Sequence, residues 1–345
     1  MSESLAIKYR PKIFDDVVEQ SATTTILKQQ LLGNDIKNAY LFCGGAGTGK
    51  TTCARIFANE INDHIGTPIE LDAASNNSVD DVRSIIQQAK TASIDSKYKV
   101  FIMDEVHALS NNAWQAMLKL LEEPPMRSVF IMCTTDPQKI PKTILSRVQR
   151  FDFRRISQQG IVDRLISILA FEQFITPNVA LDKHIRPEVW KSVEYIAKIA
   201  DGGMRDAITM LDKCLAYSSE LTMDNVLTAL GVADYETMMD FINAYVERDI
   251  QIGIATLNKV YMSGKDLKQF IKSVTDFTID IYKYKNLVDF KYLNCPDTDA
   301  IKKFLKEVDI EIDDPMLKRL IKLNQDIKWD TNPKARIEAW FITGE

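Results

Sequence analysis

The residues with the clearest chemical capacity form a glycine-rich loop between an apolar run and a helical pattern. Residues 39–43 are apolar, and they are followed by Gly44, Gly45, Ala46, Gly47, Thr48, Gly49, Lys50, Thr51 and Thr52. Glycines let backbone N–H groups curve around phosphate oxygens, a lysine reaches the terminal phosphates, and the next hydroxyl binds Mg²⁺ at the start of the helix. The spacing predicts an ATP or GTP site rather than a chance glycine-rich turn, because a strand-like run and a helical pattern flank it.

Two adjacent carboxylates, Asp104 and Glu105, follow the apolar run of residues 99–103. In phosphoryl-transfer sites the first such carboxylate supports the Mg²⁺ shell, and the second orients and activates the attacking water. A strand that ends in a solvated acidic turn is the alternative, which a preceding phosphate loop makes less favoured. Nothing marks the neighbouring His107 as functional, and a packed or solvent-facing histidine is the favoured interpretation.

Further candidates follow later apolar runs. Thr134, Thr135 and Asp136 stand where the carboxyl edge of a parallel sheet meets its ligands, so a hydroxyl there could contact the γ-phosphate. A turn-forming Thr-Asp pair explains the same residues. Arg147 could be an ordinary surface charge, and Arg205 could be the i, i+4 partner of Asp201. Spacing alone leaves these alternatives open.

The elements that must position these residues alternate between short apolar strands and helices up to about Ser157. The sequence predicts helices over 79–91 and 111–123, each preceded by a capping serine, Ser78 or Ser110. The predicted strands are Ala39–Cys43, Ile69–Asp72, Val100–Asp104, Val129–Cys133 and Phe151–Phe153. This alternation is typical of an α/β nucleotide-binding domain with a parallel sheet.

Helical periodicity replaces the strand signals after Ser157. Predicted helices cover residues 159–172, 187–200, 204–217, 223–230 and 265–289. The last of these carries an apolar stripe that indicates core or subunit interface, formed by Leu267, Phe270, Ile271, Val274, Phe277 and Ile281. We therefore expect a nucleotide-binding domain over 1–157, a small helical lid domain over 158–231 and an all-helical domain over 232–345.

Composition limits the classes of function. The chain has 345 residues, of which 46% are hydrophobic and 26% charged, and no apolar stretch approaches the ~20 residues of a membrane span. The N-terminus lacks a signal-peptide layout, so we expect a cytoplasmic protein without a membrane partner. Five cysteines lie singly in the sequence, which predicts reduced thiols and no zinc site. The net charge of -5 argues against indiscriminate coating of nucleic acid, and residues 1–157 carry the most positive balance.

With these residues in view, the sequence resembles the gamma/tau ATPase subunits of the bacterial DNA polymerase III clamp loader, in the AAA+ superfamily. The resemblance runs in order through about residues 7–231. The matching segments are 8–11 (KYRP), 16–20 (DVVEQ), the phosphate loop, 70–77 (ELDAASNN), 104–107 (DEVH), 118–125 (LKLLEEPP), 134–137 (TTDP), 144–147 (ILSR) and 203–207 (GMRDA). The helical remainder matches the oligomerising collar of the family only in length and helicity.

The resemblance implies a pentameric loader, a homo- or hetero-oligomer with other loader subunits. Such a loader uses ATP and Mg²⁺ to open a ring-shaped sliding clamp and close it around primer-template DNA. By motif, Lys50 and Thr51 would bind phosphates and Mg²⁺, Asp104 would support the metal, and Glu105 would be the base. Thr134 or Thr135 would be the first sensor.

Three further roles follow from the same resemblance. Arg147 corresponds to an arginine finger given to the ATP of the neighbouring subunit, and Arg205 corresponds to the sensor of the lid domain. Tyr9, Arg10 and Pro11 correspond to the segment that borders the adenine.

The chain departs from the family pattern in three places. Residues 59–68 are short and lack the four-cysteine zinc module, so zinc is not expected. Ser-Arg-Val replaces the usual Ser-Arg-Cys at Arg147, and the sequence stops at Glu345, without the extension of the longer family form. These departures suggest a compact version in a bacterial cell, from a reduced genome or encoded by an infecting phage.

Two other functions remain as alternatives. One is an inert loader subunit that only donates a finger and a collar, and the other is a different AAA+ DNA machine such as a branch-migration motor. The intact phosphate loop with Asp104 and Glu105 argues against the first, and the Ser-Arg and Glu-Glu-Pro-Pro segments argue against the second. Candidate DNA contacts are Asn76, Asn77, Arg83 and Arg127, although helix capping and solvated charge explain each of them better.

Overall fold

The computed structural model describes residues 3–91, 96–174, 186–231, 235–310 and 315–343. The chain divides into two compact units, one of residues 1–185 and 196–212 and the other of residues 186–195 and 213–345. The expected domain boundary at Val232 lies outside the described residues. Within the described ranges, no helix has the length and apolarity needed to span a membrane.

The first unit contains a five-stranded parallel sheet with strand order β2-β3-β4-β1-β5. The strands are β1 (Ala39–Cys43), β2 (Ile69–Asp72), β3 (Lys99–Asp104), β4 (Ser128–Thr134) and β5 (Gln149–Asp152). The predicted bounds of β1 and β2 are confirmed, and β3 and β4 each begin one residue earlier than predicted. β5 was predicted two residues too late, because it is an edge strand whose pairing with β1 starts at the polar residue Gln149.

Helices cover both faces of this sheet. In the first unit they are α1 (Leu5–Lys8), α2 (Ser21–Gly33), α3 (Lys50–Ile61), α4 (Val79–Lys90), α5 (Asn111–Glu122), α6 (Lys142–Leu145) and α7 (Gln158–Phe171). The side chains of β1 alternate between the two layers. Leu41 joins the core with Trp114 of α5, whereas Phe42 joins the core with Phe57 of α3. All of β1 is buried, as expected of a central parallel strand.

In the described part of the first unit, side-chain caps set the starts of three helices. Ser78 Oγ accepts a hydrogen bond from the backbone N–H of Asp81, which completes a capping box at α4. Ser110 and Ser157 accept in the same way from Ala113 and Gly160, at 3.3 and 3.0 Å. The capping serines predicted at positions 78 and 110 are confirmed.

Two helices, α8 (Pro187–Ile199) and α9 (Met204–Tyr217), contribute residues to both units. The described part of the second unit is otherwise helical. Its further helices are α10 (Met223–Leu230), α11 (Tyr235–Val246), α12 (Ile250–Met262), α13 (Leu267–Leu287), α14 (Asp299–Glu307), α15 (Met316–Ile327) and α16 (Pro333–Thr343).

The apolar stripe of α13 forms the centre of the core of the second unit, and all six of its predicted residues are buried there. Aromatic contacts join it to neighbouring helices, with Phe270 5.5 Å from Phe241 and Phe277 5.8 Å from Phe304 between ring centroids.

The Asp280 carboxylate of α13 lies inside this layer of helices. Asp280 Oδ2 accepts hydrogen bonds from the backbone N–H groups of Asn294 and Cys295, both at 2.7 Å, so it fixes the segment before α14.

Candidate nucleotide-binding site

The phosphate loop joins β1 to α3 and is shaped by its glycines. Gly47 and Gly49 have φ of +69° and +101°, a left-handed conformation that favours glycine. The Lys50 side chain is buried against the loop, and its Nζ donates to the carbonyl oxygens of Gly44 and Gly45 at 2.9 and 2.7 Å. The ammonium group therefore lies within the curve of the loop, where it can neutralise a bound phosphate.

The hydroxyl and carboxylate predicted for magnesium are in direct contact. Thr51 Oγ1, in the first turn of α3, donates to Asp104 Oδ2 at 2.7 Å, and Asp104 Oδ1 accepts from the backbone N–H of Glu105 at 3.0 Å. Among the described residues, no three His, Cys, Asp or Glu side chains form a metal-binding group. One carboxylate and one hydroxyl fit Mg²⁺, because this ion takes one or two protein oxygens and completes its shell with phosphates and water.

Glu105 has an unusual backbone for a side chain of its size. Its φ is +50°, a left-handed conformation that costs a non-glycine residue about 1 to 3 kcal/mol. The carboxylate Oε2 accepts from Thr135 Oγ1 at 2.9 Å and from the Thr135 backbone N–H at 3.4 Å. This conformation directs the carboxylate across the edge of the sheet, from the end of β3 to the end of β4.

His107 lies in the same cluster of side chains. Its Nδ1 is 3.2 Å from Glu105 Oε2 and 3.2 Å from Thr134 Oγ1. Thr134 is fully buried, and its hydroxyl also accepts from the Asp136 backbone N–H at 3.0 Å. Of the two predicted sensor hydroxyls, that of Thr135 therefore faces the Glu105 carboxylate, whereas that of Thr134 supports the turn and His107. The sequence signal for this grouping was the position of the residues at the carboxyl ends of two strands, β3 and β4, which lie side by side in the sheet.

An open cleft adjoins the loop. Its wall includes Gly47 to Thr52, Tyr9, Arg10, Pro11 and Arg205, together with residues not selected from sequence: Ala6, Asp16, Val17, Val18, Ile156, Arg164, Met204 and Ile208. Gly44, Gly45, Ala46, Asp104, Glu105, Thr134 and Thr135 are outside this lining. The cleft and the Asp104–Glu105 edge nevertheless connect, because Thr51 lines the cleft and bonds to Asp104.

The Tyr9 side of the cleft is held by three contacts with α7 and the residue after it. The Tyr9 hydroxyl donates to Glu172 Oε1 at 2.7 Å, and Lys8 Nζ donates to the same oxygen at 2.5 Å. The hydrogen bonds from Lys8 and Tyr9 hold the pKa of Glu172 below its ordinary value. Arg164 donates to the Tyr9 carbonyl oxygen at 2.9 Å, a role that no sequence signal revealed.

Arg205 is brought to the cleft by the Gly202-Gly203 turn. The Met204 backbone N–H donates to the Gly47 carbonyl oxygen at 3.0 Å, and a Cβ on Gly47 would lie 3.0 Å from the Gly203 Cα. The backbone at the start of α9 thus rests directly on the phosphate loop. The alternative pairing of Arg205 with Asp201 is wrong in this structure, because the Asp201 carboxylate pairs with Arg155.

Arg147 and the residues considered for DNA lie outside the cleft. Arg147 donates to Glu122 Oε1 at 2.7 Å and to the Thr143 carbonyl oxygen at 2.8 Å. Arg83 pairs with Asp80 at 3.0 Å, and Asn76 Nδ2 donates to the Asp72 carbonyl oxygen at 3.0 Å. The side chains of Arg147, Arg83 and Asn76 thus each have a partner within their own chain.

All five cysteines are buried free thiols. Burial raises the pKa of Cys43 to about 11 and that of Cys53 to about 12, and it raises the pKa of Cys133 well above its ordinary value. These three thiols lie in the sheet and in α3, beneath the site, and stay protonated at neutral pH.

Two family models match the chain, "DNA polymerase III, delta subunit" over residues 68–157 and "DNA polymerase III subunits gamma and tau domain III" over residues 221–333. The DNA polymerase III subunit tau of Bacillus subtilis (strain 168) is 35% identical over 97% of this chain and 62% of its own length. That of Escherichia coli (strain K12) is 34% identical over 75% of this chain and 42% of its own length. The chain therefore spans about half the length of these curated relatives.

A solved structure gives the fold independently. The Thermotoga maritima RuvB Holliday junction branch migration motor matches 75% of this chain and 86% of its own chain, with a TM-score of 0.51 and 20% identity. At that identity the likeness shows the fold alone, which is the AAA+ nucleotide-binding fold. The two family models and the curated relatives give the family, and the chain belongs to the gamma/tau family of DNA polymerase III subunits.

Proposed function

We propose that this chain is an ATPase subunit of a DNA sliding-clamp loader, acting in the cytoplasm of a bacterial cell or of a phage-infected one. The observation that carries the proposal is the continuous line of contacts from the loop to the catalytic carboxylate. Thr51 bonds to Asp104, and Glu105, the next residue, bonds to Thr135. A chain without hydrolysis would have no need of a glutamate in a strained conformation at this edge.

Each residue of the site has a separate role in the proposed hydrolysis of ATP. Lys50 and the backbone N–H groups of the loop bind the phosphates of ATP, and Thr51 and Asp104 would hold Mg²⁺, which would neutralise charge on the phosphates. Glu105 accepts a proton from the attacking water, while the bond between the γ-phosphorus and the bridging oxygen breaks to give ADP and phosphate. The Thr135 hydroxyl holds the Glu105 carboxylate in place and is our choice for the first sensor.

The base and ribose of ATP bind against the other wall of the cleft. Tyr9, Arg10 and Pro11 border it, and their position is supported by the Glu172 and Arg164 contacts. Arg205 approaches from α9, next to the phosphate loop. Together they support a site that closes around the whole nucleotide, with α7 and α9 as the lid.

Partners follow from the family rather than from this chain alone. We propose that Arg147 serves the ATP of an adjacent subunit, since it lies outside its own cleft. Residues 232–345 supply the collar of a pentamer, and the assembled loader acts on a sliding clamp and primer-template DNA. The three-domain division at residues 157 and 231 belongs to this proposal, as does the absence of zinc.

The decisive experiment measures ATP hydrolysis by the purified chain, alone and with its partner subunits, in the presence and absence of sliding clamp and primed DNA. Clamp and primed DNA should together raise the rate. Lys50→Ala should abolish Mg-ATP binding, because the backbone donors of the loop need the charge of the lysine to hold a triphosphate. Undiminished binding by this variant would remove the basis of the proposal. Stimulation by four-way junctions instead of clamp would favour the branch-migration alternative.

A further inference from the structure

The segment Asp16–Gln20 lies between the cleft and the start of α7. Asp16, Val17 and Val18 line the cleft. Glu19 has φ of +58°, a left-handed backbone conformation, and Gln20 is buried. The segment therefore turns sharply just behind the cleft wall.

The Glu19 carboxylate reaches across to the N-terminus of α7. It accepts a hydrogen bond from the Ser157 backbone N–H at 2.7 Å and a second one from the Ser157 hydroxyl. Ser157 in turn caps α7 by accepting from the Gly160 backbone N–H. A carboxylate at this end of a helix is stabilised by the partial positive charge of the free N–H groups, and these bonds offset the cost of the left-handed backbone.

Gln20 makes a parallel connection one residue later. Its Nε2 donates to the Arg154 carbonyl oxygen at 2.8 Å, and its Oε1 accepts from the Arg154 backbone N–H at 3.2 Å. The same Nε2 is 3.5 Å from the Thr48 carbonyl oxygen of the phosphate loop. Segment 154–157, which leads from the sheet into α7, is thus fastened to the cleft wall at both ends.

α7 also contacts this wall without an intervening side chain of its own. A Cβ on Gly160 would lie 2.5 Å from Glu19 Oε1 and 3.2 Å from Val18 Cγ1. Glycine at 160 therefore leaves room for the carboxylate and for a residue of the cleft wall. A side chain at position 160 would displace the Glu19 carboxylate from its present place.

We propose that Glu19 is a positioning residue for nucleotide binding, acting through its bonds to Ser157, which we name the Glu19–Ser157 clasp. The clasp fixes Val17 and Val18 against α7, so the wall that receives the base and ribose is formed before the nucleotide binds. The proposal rests on the proposed function, because it assumes that ATP occupies this cleft. It predicts a contribution to affinity that depends on the nucleoside part of the ligand and not on its phosphates.

Three variants test the clasp in the full chain. Glu19→Gly removes the carboxylate and relaxes the left-handed backbone, so it should not lower the melting temperature greatly. Glu19→Gln keeps an oxygen that can accept from the Ser157 N–H. Gly160→Ala leaves both clasp residues unchanged but displaces the carboxylate, while alanine favours the helix over glycine.

The measurements are the Kd of a fluorescent ATP analogue with Mg²⁺ and its competition by ATP and by inorganic tripolyphosphate. Glu19→Gly and Gly160→Ala should weaken ATP about tenfold, or about 1.4 kcal/mol, with tripolyphosphate competition unchanged, and Glu19→Gln should retain most of the affinity. Full ATP affinity in both Glu19→Gly and Gly160→Ala would overturn the clasp, and so would an equal loss for ATP and tripolyphosphate. A wild-type chain that binds no ATP would instead overturn the proposed function.

Discussion

The Thr135 hydroxyl donates to the Glu105 carboxylate across the gap between the ends of β4 and β3, at 2.9 Å. The bond joins the residue expected to meet the γ-phosphate with the residue expected to deprotonate water. It fixes one oxygen of the carboxylate, and the left-handed backbone of Glu105 fixes the direction of its side chain. The two adjacent threonines therefore make different contacts, Thr135 with Glu105 and Thr134 with His107 and the Asp136 N–H.

Thr135→Val should lower the turnover number at least tenfold, about 1.4 kcal/mol of barrier, because the carboxylate loses its positioning donor. The affinity for Mg-ATP should change little. Thr134→Val is the matched control, since its buried hydroxyl bonds to His107 and the Asp136 N–H, and its removal leaves the half-buried Asp136 N–H without this acceptor. It should cost about 1 to 3 kcal/mol of unfolding free energy. Steady-state kinetics and denaturant unfolding of both variants decide the assignment, and equal turnover losses would contradict it.

Glu105→Gln should bind Mg-ATP normally and hydrolyse it very slowly. The amide keeps the size of the side chain and can still accept from Thr135, but it cannot take a proton from water. We expect the variant to accumulate the ATP-bound complex with the clamp, detectable by co-elution in gel filtration. Parent-rate hydrolysis would reduce Glu105 to a structural acidic turn.

Arg147→Ala should leave ATP binding intact and depress hydrolysis in the assembled complex. An arginine finger neutralises charge that develops on the γ-phosphate, and it contributes about 10³ to 10⁵ in rate. Arg150→Ala is the control, because this nearby exposed arginine pairs with Asp152 on the edge strand and should have no effect on the rate.

Mixing Arg147→Ala protein with Glu105→Gln protein should then restore partial activity. Some interfaces of the mixed assembly would place an intact finger opposite an intact carboxylate. An assembled mixture that stays inactive would count against action in a neighbouring subunit. Activity of an isolated monomer that depends on Arg147 would do the same.

The native thiols should react slowly with a disulfide reagent at pH 8, and all five should react at once in denaturant. All are buried, and burial raises the pKa of Cys43 to about 11 and of Cys53 to about 12 from an ordinary value of 9.0. The resulting stabilisation is fully present below pH 9.0 and is lost as the pH rises through the raised pKa of Cys43. Unfolding monitored between pH 7 and 11 should show this decline. Rapid labelling of one native thiol would contradict the burial.

Much of the first unit could be predicted from sequence because its signals are local. The apolar runs of β1, β3 and β4 are buried strands whose alternate residues meet helices on both faces, and serine caps mark the starts of α4 and α5. The phosphate loop and Asp104 could be placed because strand ends meet at one edge of a parallel sheet. β5 was displaced because its first residues, Gln149 and Arg150, are polar and belong to an edge strand.

Other parts of the site depend on tertiary contacts that carry no local pattern. His107 joins the cluster of Glu105, Thr134 and Thr135 because β3 lies beside β4, so its ring reaches Thr134. Arg164 lies in the middle of α7 and donates to the backbone carbonyl oxygen of Tyr9. Any residue with a long donor side chain can make such a contact, so the sequence does not mark Arg164 for this role. The alternative pairing of Arg205 with Asp201 rests on the i, i+4 spacing of a helix. That spacing takes no account of Arg155, which comes from a distant segment and pairs with Asp201 in the structure.

The contact of Gly47 with Gly203 has a consequence for how the chain can be cut. The phosphate loop and the start of α9 share a hydrogen bond, and residues 196–212 group with the sheet rather than with the helices that follow them. A fragment that ended at Ser157 would contain every residue of the loop and still lack one side of its support. We therefore expect that a fragment needs both of these separated stretches of chain to bind a nucleotide firmly, and that proteolytic loss of the later stretch abolishes binding by the earlier one.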